Sequence, residues 1–184
     1  MELSTARRLG LWGSVACLAG YLLSFISELY ALGFVLMLVG VVLVLATLYG
    51  LSEVYGDRSI FWNALLATIA AGLAVILAFA LLLAAVAFGL LGVAVDGVGG
   101  LVAALTVAAV ASALLWYRAL ATLSDRSGVK LFKWPAILHV ASVALYTAEL
   151  LPTIILAGLT LLALGFLKLK PPATQTPPET VEPA

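Results

Sequence analysis

The sequence predicts an all-α fold: a polytopic integral membrane helix bundle of six transmembrane helices in three hairpins, with both termini in the cytoplasm. The first supporting observation is composition, since 65% of the 184 residues are hydrophobic and only 10% are charged. Soluble domains are about 45–50% apolar and about 25% charged, so the surplus apolar side chains have to face lipid. The other two observations are long uncharged runs and the confinement of Lys and Arg to short segments between them.

The same composition excludes several classes of protein. The mean hydropathy is +1.23, and the core of a small cytosolic enzyme could not bury so many apolar side chains. A secreted disulfide scaffold needs paired cysteines, whereas this chain has only Cys17. Nine basic residues balance nine acidic residues, so the chain has no excess of positive charge with which to bind a nucleic acid. We therefore expect the lipid bilayer, and no nucleic acid, as a partner of the chain.

The first four helices follow from the uncharged runs, because a hydrocarbon core of about 30 Å needs roughly 20 apolar residues per crossing. The first run ends before Glu28, the second before the polar stretch 52–59, and the fourth at Arg118. The third run is broken near its end by glycines, which predict a loop around Asp96: Gly89, Gly92, Gly97, Gly99 and Gly100. The helices are predicted over residues 9–27, 31–51, 60–88 and 101–117.

The last apolar block, from Trp134 to Leu167, is predicted to form two helices. As one straight helix it would be about 50 Å long at 1.5 Å per residue, which is too long for a single crossing. Pro152 disfavours the helical conformation at the residue before it and removes a backbone donor. The break is therefore placed at 149–152, between helices over 134–149 and 152–167.

The placement of charge favours six crossings and sets their orientation. Six crossings put every cation on one side: Arg7, Arg8, Arg58, Arg118, Arg126, Lys130, Lys133, Lys168 and Lys170. The opposite side has only Glu28, Asp96 and Glu149 as charged residues. Because cations mark the cytoplasmic side, the sequence predicts a protein of the plasma membrane with both termini in the cytoplasm. After the bundle of residues 1–170, the Pro-rich tail 171–184 is expected to be a disordered cytoplasmic segment.

Three of the predicted helices carry two glycines seven residues apart: Gly13 and Gly20, Gly33 and Gly40, Gly158 and Gly165. This spacing puts both glycines on one helix face, where small residues let backbones approach closely in lipid. We expect close packing within the chain, and a dimerisation face is the alternative. Since segments 33–40 and 158–165 also follow similar acidic turns, the first and third hairpins are candidates for an internal duplication.

The predicted cytoplasmic loops 52–59 and 118–133 each contain an Asp-Arg-Ser sequence. One interpretation is that Asp57 or Ser59 caps the third helix while the arginines contact lipid phosphates. The alternative is a binding site for a partner or ligand. The candidate residues of these loops are Asp57, Arg58, Asp125 and Arg126.

His139 is an ionisable residue expected inside the bilayer, towards the cytoplasmic side. Such a group is costly at this depth and is a functional candidate. The alternative is a neutral His that is hydrogen-bonded to a facing Ser or carbonyl group, and the sequence leaves both open. With one His and one Cys in the chain, we expect no metal centre, no cofactor and no catalytic residues.

Four short segments carry a family resemblance: 5–11, 48–52, 56–61 and 127–134. They resemble a family of small archaeal multi-pass membrane proteins known as domain of unknown function 996, over about residues 3–170. Since that family has no assigned activity, the resemblance implies an architecture and a source but no mechanism. In the family, the fifth helix starts with an apolar, glycine-containing segment, and Pro135 and His139 depart from this pattern. The resemblance therefore gives His139 no family-wide role.

Two functions fit these observations. The first is a non-enzymatic accessory, assembly or scaffold module, because the predicted crossings carry few polar residues that could line a route. The alternative is a transporter or channel for a small solute, with His139 and the region near Asp96 as its polar landmarks. In addition to lipid, the expected partner is a second copy of the chain or another membrane protein.

Overall fold

A computed structural model describes residues 1–91, 98–144 and 151–169 of the chain. These residues form helices and no strand, which confirms the predicted helical class. Short 3₁₀ turns, Ser27–Leu29 and Lys130–Phe132, precede the second and fifth α-helices. The α-helices are α1 Leu3–Leu23, α2 Tyr30–Val54, α3 Ser59–Leu91, α4 Val98–Ser127, α5 Lys133–Ala144 and α6 Leu151–Leu167.

The six helices are arranged as a circuit of packed neighbours. Consecutive helices pair as α1 with α2, α3 with α4 and α5 with α6. Contacts of α1 with α6 and of α4 with α5 join these pairs to one another. A less extensive contact between α2 and α3 closes the circuit. Every helix therefore has a neighbour on two sides and keeps an outer face.

Within the described residues, three segments are long and apolar enough to cross a membrane: Ser27–Val54, Ser59–Ala87 and Gly99–Ser127. Pro152–Leu167 is a shorter apolar helix. Large apolar side chains cover the outer faces, and Ile69, Ile76 and Phe79 of α3 are 59%, 66% and 61% exposed. Contiguous apolar surface of this kind is rare on water-soluble monomers, so the helices indicate association with a membrane.

Helix α4 is longer than predicted, because the polar residues after position 117 do not end it. It continues through Arg118 and stops only at Ser127. Ala119, Leu120 and Leu123 form a buried stripe along this extension. Packing of that stripe keeps the segment helical, with the charged residues on its exposed side.

The glycines predicted to form a loop are partly helical as well. Gly89 lies in α3, and Gly99 and Gly100 lie in α4. Glycine weakens a helix by only about 1 kcal/mol relative to Ala, and apolar surroundings favour a backbone that satisfies its own hydrogen bonds. Asp96 and Gly97 lie outside the described residues.

The last two helices begin close to the predicted positions. Helix α5 starts at Lys133 and is described to Ala144, and α6 starts at Leu151. Pro152 stands in the first turn of α6, where its missing N–H removes no helical hydrogen bond. The predicted break at Glu149 and the tail 171–184 lie outside the described residues.

A cluster of buried hydrophobic residues lies towards the end of the bundle where α1, α3 and α5 begin and where α2, α4 and α6 end. Phe132 and Phe166 are fully buried here, with ring centroids 5.3 Å apart in an edge-to-face arrangement. Leu48, Ile60 and Leu123 are also fully buried in the same cluster. We call this the charged end, because it carries Lys and Arg residues from several elements: Arg7, Arg8, Arg58, Arg126, Lys130, Lys133 and Lys168.

Candidate functional site

Ion pairs link separate elements at the charged end. The N-terminal ammonium group of Met1 lies 3.6 Å from a carboxylate oxygen of Glu53, at the end of α2. The Lys133 ammonium group lies 2.7 Å from the Asp125 carboxylate and joins the start of α5 to the end of α4. These contacts bring the first residue of the chain and the ends of three helices to the same end of the bundle.

The two Asp-Arg-Ser sequences are in direct contact with each other. The Nε and Nη2 atoms of Arg126 donate to Oδ2 of Asp57 at 3.2 and 3.0 Å. Asp57 lies just before α3, and Arg126 lies in the last turn of α4. Each charge therefore suits the helix dipole at its position, and the ion pair closes the α3–α4 hairpin at its open end.

Local backbone structure positions Asp57 for this contact. Helix α2 ends at Val54, and two residues later Gly56 has a φ of 66°, the left-handed conformation that glycine adopts without strain. The backbone N–H of Gly56 donates to the carbonyl oxygen of Glu53, and the N–H of Asp57 donates to the carbonyl oxygen of Ser52. These two hydrogen bonds form a Schellman motif. Oδ1 of Asp57 then accepts hydrogen bonds from the Ser59 hydroxyl at 2.7 Å and the Ser59 N–H at 3.1 Å.

The Ser59 hydroxyl, with smaller contributions from the Ser59 N–H and Arg126, holds the pKa of Asp57 below its ordinary value. Asp57 is thus a negatively charged N-terminal group of α3 at neutral pH. Arg58 points elsewhere and lines a surface hollow of about 450 Å³ together with Tyr49, Glu53 and Trp62.

The second Asp-Arg-Ser sequence has different contacts. The Lys133 ammonium group donates a hydrogen bond to the Asp125 carboxylate, and this contact raises the pKa of the lysine. The Ser127 hydroxyl donates to the Leu123 carbonyl and accepts from the Val129 N–H. The local structure after α4 therefore serves to turn the chain into α5.

A cavity of about 300 Å³ lies between α1, α2, α4, α5 and α6. Its walls are almost entirely apolar. One face of α6, from Ile154 to Leu162, forms part of these walls. Side chains of different helices meet there, including Cys17, Met37, Trp116 and His139. The centre of the helix circuit is thus partly open space.

His139 lies on the wall of this cavity and is half-buried. Across the cavity, Cys17 is buried, and its thiol is directed at the Met37 carbonyl oxygen at 3.7 Å. No group of three His, Cys, Asp or Glu side chains within the described residues could hold a metal ion. Such an apolar space can accept an apolar molecule, which would meet the rings of Tyr21, Trp116 and His139 on the cavity walls.

The glycines of α1 and α2 face one another in register. A Cβ added at Gly40 would lie 2.7 Å from the Gly13 carbonyl oxygen, and one at Gly20 would lie 2.5 Å from that of Gly33. Both contacts are with backbone atoms, which cannot move aside as a flexible side chain can. We call Gly13, Gly20, Gly33 and Gly40 the glycine seam, and it lets the two backbones touch.

The glycines of α6 have other surroundings. A Cβ at Gly165 would lie 2.7 Å from the ring of Phe132. Nothing lies within 4 Å of a Cβ added at Gly158, which lines the cavity. Gly165 therefore makes room for an aromatic ring, and Gly158 helps to keep the cavity open.

Sequence reasoning missed the part played by Trp116 and did not single out Ser112. Trp116 stands just before the predicted end of the fourth helix, and in the structure it lines the cavity. One turn earlier in α4, the hydroxyl of Ser112 is buried and has no hydrogen-bond partner among the residues that the structure describes. The four-residue spacing of Ser112, Trp116 and Leu120 puts them on one face of α4, and that spacing could have linked them.

Comparison with family profiles matches residues 36–167 to a family described as "Protein of unknown function (DUF996)". No curated protein and no solved structure matches the chain. The matched range begins within α2 and includes both Asp-Arg-Ser sequences and the cavity walls that α4, α5 and α6 provide. Because the match covers most of the chain, the protein belongs to this family of unknown function, as the sequence segments predicted.

Proposed function

We propose that this protein is a six-crossing integral membrane protein of the plasma membrane that acts as a non-enzymatic accessory, assembly or scaffold module. Both termini lie in the cytoplasm in this proposal. The observation that carries it is the asymmetry of charge along an otherwise apolar bundle. Ion pairs and cations gather at the charged end, and the helices between the two ends present apolar side chains.

The charged end supports the orientation. The Met1–Glu53 and Asp57–Arg126 contacts hold the chain's start, the α2–α3 loop and the end of α4 together. Lys168 follows α6 at the same end. Cations next to apolar helices are retained on the cytoplasmic side during insertion, so this end faces the cytoplasm.

The outer faces support a role in holding other membrane components. None of the most apolar stretch of α3 is buried inside the bundle. A face of this kind contacts lipid, a second copy of the chain or another membrane protein. Many interior hydroxyls bond to their own helix, as Thr47 does to the Leu43 carbonyl at 2.8 Å, so these interior positions contribute to packing.

Reporter fusions test the topology. A reporter fused after Ala184 or inserted near Gly56 is expected to be cytoplasmic, and one inserted near Gly97 is expected to be external. An external signal after Ala184 would overturn the six-crossing arrangement. The accessory role is tested by the mass of the protein after extraction in mild detergent. A lone monomer without a stoichiometric protein companion would contradict it.

The cavity favours a second candidate function, the transport of a small solute. If His139 faced a hydrated route, a His139→Cys variant in a Cys17→Ala background would react readily with small water-soluble thiol reagents. We expect no reaction, because an apolar cavity excludes water and charged reagents. A Gly56→Cys variant in the same background is the accessible control. Fast labelling at position 139, with protection by a solute, would establish transport over the accessory role.

A further inference from the structure

We propose that the central cavity binds one hydrocarbon chain of a lipid from the surrounding bilayer. The proposal concerns the interior of the bundle, whereas the proposed accessory role concerns its outer faces. It rests on the membrane placement in the proposed function but not on its orientation. An inverted topology would change the reporter assay and leave chain binding unaffected.

The shape of the cavity fits a chain. Its wall on α6 runs from Ile154 to Leu162, which is about 12 Å at 1.5 Å per residue. Trp116 lines it on α4 and His139 on α5, towards the charged end. Tyr21, near the C-terminal end of α1, lines the cavity in the half of the bundle that is farther from the charged end. The space is therefore elongated along the helices, in the direction in which lipid chains lie.

The chemistry of the walls excludes water as the occupant. Ile155, Leu159 and Leu162 present hydrocarbon to the cavity, as do most of its other lining residues. A water molecule needs two to four polar partners close together, whereas the few polar side chains of the lining (Cys17, Tyr21, Trp116 and His139) come from three different helices and stand among apolar neighbours. An empty cavity is unfavourable too, because its lining atoms lose dispersion contacts. An apolar occupant satisfies both conditions.

Size then selects a chain over a helix. A cavity of about 150 Å³ is enough for benzene, and this one measures about 300 Å³. A helix of a second copy, about 10 Å across, would fill roughly 900 Å³ over 12 Å of length. The lining residues Trp116, His139 and Leu159 are half-buried, so the space can be reached from outside. At the depth of helices apolar enough to cross a membrane, the molecules in contact with them are lipid chains.

The test uses Trp116 as the reporter of occupancy. In the full-length protein, Trp12, Trp62 and Trp134 are replaced by Phe, and the detergent-solubilised protein is titrated with stearic acid that carries a nitroxide near its methyl end. We expect saturable quenching of Trp116 fluorescence, by more than half, at about one probe per chain. Quenching that rises linearly with probe concentration would overturn the proposal.

A matched pair of glycine variants locates the bound chain. Gly158→Leu places a side chain in the cavity, whereas Gly72→Leu adds the same side chain to α3 outside it. A Cβ at either position has nothing within 4 Å, so neither substitution meets a neighbour at its first atom. We expect saturable quenching to be lost in Gly158→Leu and kept in Gly72→Leu. Equal quenching in both variants would show that the chain binds elsewhere.

A second pair keeps the test decisive if Gly158→Leu fails to fold, as judged by helical circular dichroism and elution volume. Leu159→Phe enlarges a side chain in the cavity wall, and Leu164→Phe does so at an exposed position of the same helix. The expected result is at least a tenfold weaker apparent affinity for the probe in Leu159→Phe only. Unchanged affinity in Leu159→Phe would contradict binding in the cavity.

Discussion

The first and third hairpins carry the same seven-residue spacing of glycines and use it for different purposes. In the first hairpin, the glycine seam brings two backbones into direct contact. In the third, Gly165 accommodates the Phe132 ring and Gly158 borders the cavity. The spacing decides only which residues share a helix face. What that face meets depends on the neighbouring helix.

The comparison also bears on the internal duplication. Segments 33–40 and 158–165 look alike, but the first packs on a partner helix of its own hairpin through backbone contacts and the second does not. Duplicated hairpins that kept their packing would place corresponding glycines in corresponding contacts. The contacts of these glycines therefore give the duplication no support.

The largest expected effect is at the glycine seam. In Gly40→Ala, the new methyl group would lie 2.6 Å from the Cys17 backbone nitrogen and 2.7 Å from the Gly13 carbonyl oxygen. The backbones have to separate, and we expect the free energy of unfolding to fall by about 1–3 kcal/mol, as for other overpacked interiors. Reversible unfolding in mixed detergent micelles measures this change.

Gly158→Ala is the matched control for the seam. Its methyl group enters open space, and Ala loses less conformational entropy than Gly when a helix forms. We expect this variant to be more stable than the wild type by about 0.5–1 kcal/mol. If both substitutions lowered stability equally, the two hairpins would not differ in the way described.

A smaller effect is expected for Gly165→Ala. Its methyl group would lie 2.7 Å from a side-chain ring, which can shift where a backbone cannot. We expect a loss of about 1 kcal/mol, at the low end for overpacking. The loss should largely disappear in a Phe132→Leu background, whereas the Gly40→Ala loss should persist there. A double-mutant cycle that found Gly165 and Phe132 independent would contradict this assignment.

The smallest expected effect concerns the contact that closes the α3–α4 hairpin. Asp57→Asn weakens both the ion pair with Arg126 and the hydrogen bonds from Ser59, and we expect a loss of roughly 0.5–1 kcal/mol. Asp125→Asn is the control, because the Asp125 side chain is 66% exposed and pairs with a lysine that is itself 44% exposed. A loss in Asp125→Asn as large as in Asp57→Asn would contradict a special role for Asp57.

The Asp57–Arg126 ion pair also predicts how the stability of the protein depends on pH. Since the pKa of Asp57 is lower in the folded protein than its ordinary value of about 3.9, its stabilising effect is complete above that value. The effect is lost as the pH falls through the folded pKa. The stability difference between wild type and Asp57→Asn should therefore be constant from pH 7 to about 5 and shrink below about 4. A difference that grew on acidification would have the wrong sign.

The sequence by itself determined the helical class, the apolar segments and the grouping of cations. Each depends on local properties: the length of an uncharged run, the position of Pro152, and the alternation of charged and apolar segments. Helix ends were predicted less well. The prediction ended α4 at its first charge, Arg118, but a helix continues through charges as long as one face stays packed, as Leu123 shows.

Only the tertiary structure decided which residues meet. Asp57 and Arg126 are far apart in the chain, and their identical sequence contexts gave no reason to pair one with the other. Nor could the sequence distinguish the glycines of the seam from Gly158, because their local spacing is the same. The cavity is a property of five helices together, since it exists only where side chains from separate helices fail to fill the space between them.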